Sequence, residues 1–213
     1  MTPELITPKP IIFIHIPRTG GMSFRKMMHI AYGYDNIGRP WWGEHEGEYI
    51  NDKQKSKKAW YGHFKFGLHE QIPFPVKYFT IVREPAARLL SEYHRNEYRT
   101  RYNMSPLDLA RSDRGNNIMV RMLSGANMTD TLTIHHVDIA MANIEEHFVF
   151  VGQTEKFSDI MRVVKRMGWP VSKQPHENTG KTETITLNEL IDLRKLPELA
   201  LDYELYRRVA YAW

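Results

Sequence analysis

The segment from Ile11 to Tyr32 constrains the fold most strongly, because its character changes twice along its length. Ile11 to Ile16 is a short apolar run rich in β-branched residues, which predicts a buried strand. Pro17 to Gly21 contains a proline and two glycines and predicts a turn. Ser23 to Tyr32 has apolar residues at helical spacing and predicts a helix that ends at Gly33.

This turn has the features of an anion-binding loop. Gly20 and Gly21 permit close approach of the backbone, and the following helix start offers unpaired N–H groups and the positive end of a helix dipole. Thr19 and Ser23 add hydroxyl groups, and Arg18 adds a charged, forked donor. An ordinary strand-to-helix turn would explain the two glycines and the serine equally well. The Walker A pattern is absent, which disfavours an ordinary nucleoside triphosphatase.

Strand and helix patterns alternate along the rest of the chain. Lys77–Val82 and Phe148–Val151 are predicted strands. The other predicted elements are a helix from Pro85 to about Tyr98, a helix capped by Ser105 and Pro106, a final helix from Pro197, and a surface excursion from Asp35 to Lys58. This alternation predicts an α/β protein in which helices flank a central, mainly parallel sheet.

Parallel sheets bind ligands at the carboxyl ends of their strands. That rule places Pro17–Ser23 and Arg83–Pro85 at the same edge. An arginine at a strand end can form a bidentate pair with a phosphate, which makes Arg83 a candidate. Ser91 lies about two turns into the next helix and, taken alone, is an ordinary helical serine.

Composition narrows the classes of protein. A chain of 213 residues with 42% hydrophobic residues suits one domain over 1–213, with 1–10 as an extended segment. The absence of cysteine excludes disulfides and cysteine metal sites. The net charge of +4 favours anionic partners but is too small to predict nucleic-acid binding. No transmembrane run or signal peptide is evident, so a cytoplasmic location is expected.

Two motifs resemble those of carbohydrate sulfotransferases. Pro17 to Phe24 reads Pro-Arg-Thr-Gly-Gly-Met-Ser-Phe and is similar to that family's 5′-phosphosulfate loop, commonly Pro-Lys-Thr-Gly-Gly-Thr-Ser-Phe. Arg83-Glu84-Pro85 followed by Ser91 is similar to its 3′-phosphate motif. The resemblance implies a P-loop-like nucleotide-binding fold. It also implies that the donor 3′-phosphoadenosine 5′-phosphosulfate (PAPS) is bound by both loops. The implied contacts are Arg18, Thr19, Gly20, Gly21, Met22, Ser23 and Phe24 at its 5′ end, and Arg83 and Ser91 at its 3′ end.

Weaker similarities extend from Ile11 to Tyr211. Asn117–Gly125 and Phe148–Gly152, the latter followed by Thr154 and Glu155, resemble family segments. Asn178–Thr182 resembles the loop that closes over the donor, although a solvated turn explains it equally well. The candidate contacts there are Thr179, Lys181 and Thr182. The resemblance is closest to the heparan sulfate and uronyl 2-O-sulfotransferase branch, whose chains are much longer.

The candidate base also comes from this resemblance. Trp60–Phe64 is similar to a Tyr-His-Gly-His-Val stretch of the uronyl branch, in which the second histidine acts as base and matches His63. A structural histidine at a strand end is the alternative, and His15 is expected to be a hydrogen-bonded core residue. The other candidates are His69, Glu70, His94, His135 and His136. No helical His-x3-His pair or carboxylate cluster predicts a metal site.

These inferences lead to a specific expectation. The chain is expected to transfer a sulfuryl group in line from PAPS to a hydroxyl, on a carbohydrate, with His63 as base and Arg18 stabilising the developing charge. No metal is expected, and Trp41 and Trp42 are candidates for acceptor stacking. A nucleotide-dependent phosphotransferase and a non-catalytic binder of acidic glycans or nucleic acid remain as alternatives.

Overall fold

The computed structural model describes residues 8–40, 50–95, 98–171 and 192–212. Within them, five strands form one sheet in the order β2-β3-β1-β4-β5, and every pairing is parallel. The strands are β1 (Ile11–Ile14), β2 (Ile37–Gly38), β3 (Ala59–Gly62), β4 (Lys77–Val82) and β5 (Phe148–Gln153). The expected α/β architecture with a central parallel sheet is confirmed.

Strand β1 lies at the centre of the sheet because both of its faces are apolar. Its four residues are at most 1% exposed, which is typical of a parallel strand covered on both sides. In the register, Ile14 lies beside Gly62 of β3 and Thr80 of β4. The carboxyl ends of these three strands therefore meet at one edge of the sheet, where the chain continues into the residues predicted to bind the donor.

Helices cover both faces of the sheet. They are α1 (Gly21–Tyr32), α2 (Asp52–Lys55), α3 (Pro85–Arg95), α4 (Tyr98–Tyr102), α5 (Pro106–Arg111), α6 (Ile118–Ser124), α7 (Ile134–His147), α8 (Phe157–Arg166) and α9 (Ala200–Ala212). Apolar residues of α1 and α8 pack on one face against Phe13 and Phe79. Those of α6, α7 and α9 pack on the other face against Ile12 and Ile14.

Several boundaries differ from the sequence predictions for local reasons. Helix α1 begins at Gly21, two residues earlier than expected, because Gly20 adopts a left-handed φ of 85° and completes the turn. The predicted surface excursion of residues 35–58 contains β2 and α2, and β3 follows it. The helix that opens at Pro85 is described as far as Arg95. Ser105 caps α5 as predicted, in a reciprocal capping box with Asp108.

Candidate functional site

The start of α1 lies at the carboxyl edge of the sheet, after the loop that follows β1. Gly20 is its N-cap, and no side-chain cap hydrogen bond forms there within the described part of the chain. No acidic residue lies in that turn. The N–H groups and the positive end of the helix dipole are therefore directed at the carboxyl edge of the sheet without a protein anion to neutralise them.

The loop before α1 is held in a strained but well-fixed conformation. Arg18 has a φ of 70°, a left-handed conformation that costs a non-glycine residue about 1–2 kcal/mol. Its carbonyl oxygen accepts a hydrogen bond from Arg83 Nη1 at 3.1 Å. The Thr19 hydroxyl donates to the carbonyl of Ile16 at 2.8 Å, and Thr154 Oγ1 donates to the carbonyl of Thr19 at 2.8 Å. These bonds surround Arg18 and hold its backbone in place.

The side chain of Arg18 reaches across to α3, where its Nε donates to Ser91 Oγ at 3.1 Å. Together with the bond from Arg83, this contact joins residues of both predicted phosphate loops at one place. The sequence placed the two loops at the same edge of the sheet. The structure adds that they contact each other directly through Arg18.

The two arginines fit a phosphorylated ligand such as PAPS. Burial lowers the pKa of Arg18 and of Arg83, which indicates that both cations are poorly solvated. Glu92 acts against this shift at Arg18, as do Glu155 and Glu84 at Arg83. Neither arginine forms an ion pair within 4.0 Å with a carboxylate of the described residues. A bound phosphate would supply the missing counter-charge.

Two residues that support the loops were assigned no function in the sequence analysis. Thr154, at the end of β5, shares its hydroxyl hydrogen between the carbonyls of Thr19 and Val82, at 2.8 and 3.1 Å. Glu84 accepts a hydrogen bond from the N–H of Ala87 at 2.7 Å and thereby caps the start of α3. Both residues lie in segments that resemble the family's sequences. That resemblance did not indicate that their side chains hold the loops in place.

His63 follows β3 at the same edge of the sheet and is exposed. Its Nδ1 lies 2.6 Å from the carbonyl oxygen of His15. A carbonyl oxygen can only accept, so Nδ1 carries the hydrogen and donates. In the neutral imidazole this leaves the lone pair on Nε2, which is the form needed by a general base.

His15 is located differently from what was expected. It was predicted as a hydrogen-bonded residue of the strand core, but it follows the last residue of β1 and lies at the edge of the site. Its ring centroid is 4.5 Å from that of His63, and the side chain is 8% exposed. Burial lowers the pKa of His15 to about 3, assisted by His63, Arg25 and Arg18. The ring is therefore uncharged near neutral pH.

Not every predicted donor contact faces outward. Thr19 and Phe24 have no exposed surface, and the ring of Phe24 packs against Phe13 and Phe79 in the core. Gly20 and Met22 are partly exposed, whereas Gly21 and Ser23 are buried. The candidates that lie outside the described residues are Trp41, Trp42, Thr179, Lys181 and Thr182.

The other candidate bases are separated from this cluster or have structural contacts. His69 Nδ1 lies 2.9 Å from the hydroxyl of Tyr78, at the amino end of β4 and so at the opposite edge of the sheet. Glu70 is its neighbour in the same helical turn. His135 and His136 lie at the start of α7, where His136 takes part in the cap, and His94 lies in α3.

Within the parts of the chain that the structure describes, no three metal-ligating side chains lie together. None of the helices in those parts combines the length and apolar character that a bilayer crossing requires.

The comparison with protein families agrees with the two loops. A model described as the sulfotransferase family matches residues 6–189, which include both loops and His63. The chain therefore belongs to the sulfotransferase family, and its general activity is sulfuryl transfer. A comparison with curated proteins found no match.

Proposed function

We propose that this protein transfers the sulfuryl group of PAPS to a hydroxyl of a carbohydrate, with His63 as the base. The observation that carries the proposal is the contact between the two predicted phosphate loops. Arg83 donates to the carbonyl oxygen of Arg18, and Arg18 donates to Ser91, so one connected group of donors spans both loops. A donor with phosphates at both its 3′ and 5′ positions suits such a two-part site.

The proposed donor contacts fall into two groups, one for each phosphorylated end of PAPS. The uncapped start of α1 and the guanidinium of Arg18 would hold the 5′-phosphosulfate, where negative charge increases during transfer. Arg83 and Ser91 would hold the 3′-phosphate. PAPS is the substrate that brings the activated sulfuryl group and leaves as adenosine 3′,5′-bisphosphate.

His63 is suited to the proton transfer. Its Nε2 would accept the proton of the acceptor hydroxyl while that oxygen bonds to sulfur and the bond from sulfur to the phosphate oxygen breaks. The positive charge that the ring gains is stabilised at Nδ1, which donates to the carbonyl of His15 at 2.6 Å. A general base of this kind contributes about 10²–10⁴-fold to a rate.

Two arginines near Tyr61 support an acceptor that carries acidic groups. The guanidinium carbons of Arg25 and Arg39 lie 5.8 and 5.5 Å from the ring centroid of Tyr61. Tyr61 precedes His63 by two residues on the same strand and its extension, so both side chains are on the same face of the sheet. Carboxylates or sulfates of a glycan would complement these two charges.

Mass spectrometry of reactions with PAPS and a panel of neutral and acidic glycans would test the proposal. A sulfated glycan is the expected product, and His63→Ala should form it about 10²–10⁴-fold more slowly. Thermal-shift measurements should show stabilisation by adenosine 3′,5′-bisphosphate. Stabilisation by ATP with Mg²⁺ but not by the bisphosphate would point instead to a phosphotransferase. Stabilisation by heparin alone, without turnover, would point to a non-catalytic glycan binder.

A further inference from the structure

The backbone of His15 forms hydrogen bonds with Gly62 and with the side chain of His63. Its N–H donates to the carbonyl of Gly62 at 2.9 Å, which continues the pairing of β1 with β3 beyond the last residue of β1. Its carbonyl oxygen accepts from Nδ1 of His63 at 2.6 Å. The residue that orients His63 is thus itself fixed by the strand from which His63 emerges.

The ring of His15 occupies a space between His63 and the first residue of α1. It lies 4.5 Å from the ring of His63 and is stacked with Phe13 at 5.6 Å, with an interplanar angle of 16°. A Cβ atom at Gly21 would lie 1.9 Å from Cδ2 of His15 and 2.1 Å from its Nε2. No such contact is tolerated, so residue 21 must lack a side chain for His15 to keep this position.

This arrangement also explains why Gly21 is a glycine. Gly20 has a left-handed φ of 85°, so its backbone conformation favours glycine. Gly21 is helical and has no positive φ, so the requirement there is for space alone. The resemblance to sulfotransferases attributes both glycines to donor binding. The structure gives the second one a different task, which is to admit the ring of His15.

We propose that the ring of His15 is a positioning residue that sets His63 against the start of α1. The proposal rests on the proposed function, in which His63 is the base and α1 holds the donor. Because one ring contacts both Gly21 and His63, it keeps the base at a fixed distance from the donor loop. Loss of the ring would free His63 to turn without removing any residue assigned to donor binding.

The electrostatic surroundings of His15 are consistent with this role. Arg18 from the loop, Arg25 from α1 and His63 after β3 all act on it, and together with burial they lower its pKa to about 3. The ring stays uncharged when His63 takes up a proton. A charged ring at 4.5 Å would repel the protonated base, whereas an uncharged ring does not.

Kinetics and calorimetry with His15→Ala and His15→Phe test the proposal. His15→Ala should lower kcat at least tenfold while KM for PAPS and the affinity for adenosine 3′,5′-bisphosphate change less than threefold. His15→Phe keeps a flat ring and should recover most of the lost kcat. Equal kcat for His15→Ala and the parent, or no recovery by His15→Phe, would overturn the proposal.

The tautomer of His63 gives a readout that does not depend on activity. Long-range ¹⁵N NMR of the histidine rings should show hydrogen on Nδ1 of His63 in the parent protein. His15→Ala keeps the backbone carbonyl, but a His63 ring that is free to turn leaves that carbonyl part of the time, so a mixture of tautomers is expected. An unchanged tautomer in His15→Ala would refute the positioning role. The tautomer measurement does not depend on whether His63 is the base. That question is tested separately by measuring the turnover of His63→Ala.

A double variant tests the contact itself and guards against loss of folding. Gly21→Ala should lower the urea midpoint of the parent protein because the new methyl group meets His15. In the His15→Ala background the same substitution should have little effect, since the space is then empty. Equal loss in both backgrounds would show that the ring of His15 does not occupy this space and would overturn the proposal.

Discussion

Arg83 and Arg18 are joined by a hydrogen bond from Nη1 of Arg83 to the carbonyl oxygen of Arg18, 3.1 Å long. The two residues belong to loops that follow neighbouring strands, β1 and β4. Arg18 is one of three non-glycine residues with positive φ in the described chain. The guanidinium of the second loop thus stabilises the unusual backbone of the first.

The strain at Arg18 can be measured by comparing two truncations. Arg18→Ala and Arg18→Gly both remove the bond to Ser91, but only glycine adopts a φ of 70° without steric conflict. Arg18→Gly should be more stable than Arg18→Ala by about 1 kcal/mol in urea unfolding. Both should lose donor affinity equally, because both lack the guanidinium. Equal unfolding midpoints would contradict the strain.

Arg83 and Ser91 predict selectivity for a donor with a 3′-phosphate. Isothermal calorimetry should show that adenosine 3′,5′-bisphosphate binds more tightly than adenosine 5′-monophosphate. The expected difference is about 1.5–3 kcal/mol, the contribution of a charge-assisted hydrogen bond. Arg83→Ala should remove most of this difference. Arg162→Ala is the control, since Arg162 pairs with Asp159 on the surface of α8. Equal affinities for the two nucleotides in the parent protein would contradict the assignment of Arg83 and Ser91 to the 3′-phosphate.

Turnover should not require a divalent metal ion. Arg18, Arg83 and the start of α1 already supply positive charge where a phosphotransferase would use Mg²⁺. Initial rates should therefore be the same with and without excess EDTA. The assay should include a Mg²⁺-dependent kinase as a positive control for chelation. Activity that disappears with EDTA and returns with Mg²⁺ would exclude this mechanism.

The parts of the fold that could be predicted are those whose pattern is local. Lys77–Val82 is a run of six residues with strong β propensity, and its bounds were predicted correctly. β2 has two residues and β3 has four, of which one is glycine and one alanine, so neither carries a strand pattern of its own. They are strands because β3 pairs with the edge of β1, and β2 in turn pairs with the edge of β3. Strand pairing of this kind depends on tertiary structure and cannot be predicted from the local sequence pattern.

The same distinction applies to the site. The two loops were predicted because each motif is contiguous and strand ends in a parallel sheet meet at one edge. The contact of His15 with Gly21 depends on the direction of a side chain after a strand has ended. The inward direction of Thr19 depends on a hydrogen bond to Ile16. Neither feature could be predicted from residue type and spacing.

His63→Ala should separate chemistry from donor binding. We expect turnover to fall about 10²–10⁴-fold, the usual contribution of a general base. Affinity for adenosine 3′,5′-bisphosphate should change little, because the donor contacts are assigned to other residues. His135→Ala is a matched control, because His135 is exposed at the start of α7. If His63→Ala turned over like the parent protein, another residue would have to act as base, and His94 would be tested next.

The burial of His15 predicts a dependence of stability on pH. Its pKa is about 3 in the folded protein, compared with 6.5 for an unperturbed histidine. Below pH 6.5 the unfolded chain takes up a proton that the folded protein does not, so the stabilising contribution of this group is lost as the pH falls from 6.5 towards 3.

Urea unfolding at pH 7.5 and pH 5 would measure this loss. On acidification the parent protein should lose about 2 kcal/mol more than His15→Phe, since about 1.4 kcal/mol corresponds to each pH unit below the unfolded pKa. Repeating the comparison in a His63→Ala background excludes the charge of His63 as the source. Equal losses for the parent and His15→Phe would mean that His15 titrates normally in the folded protein. A normally titrating His15 could become charged beside His63, so this experiment also tests the condition under which the two rings can remain in contact during turnover.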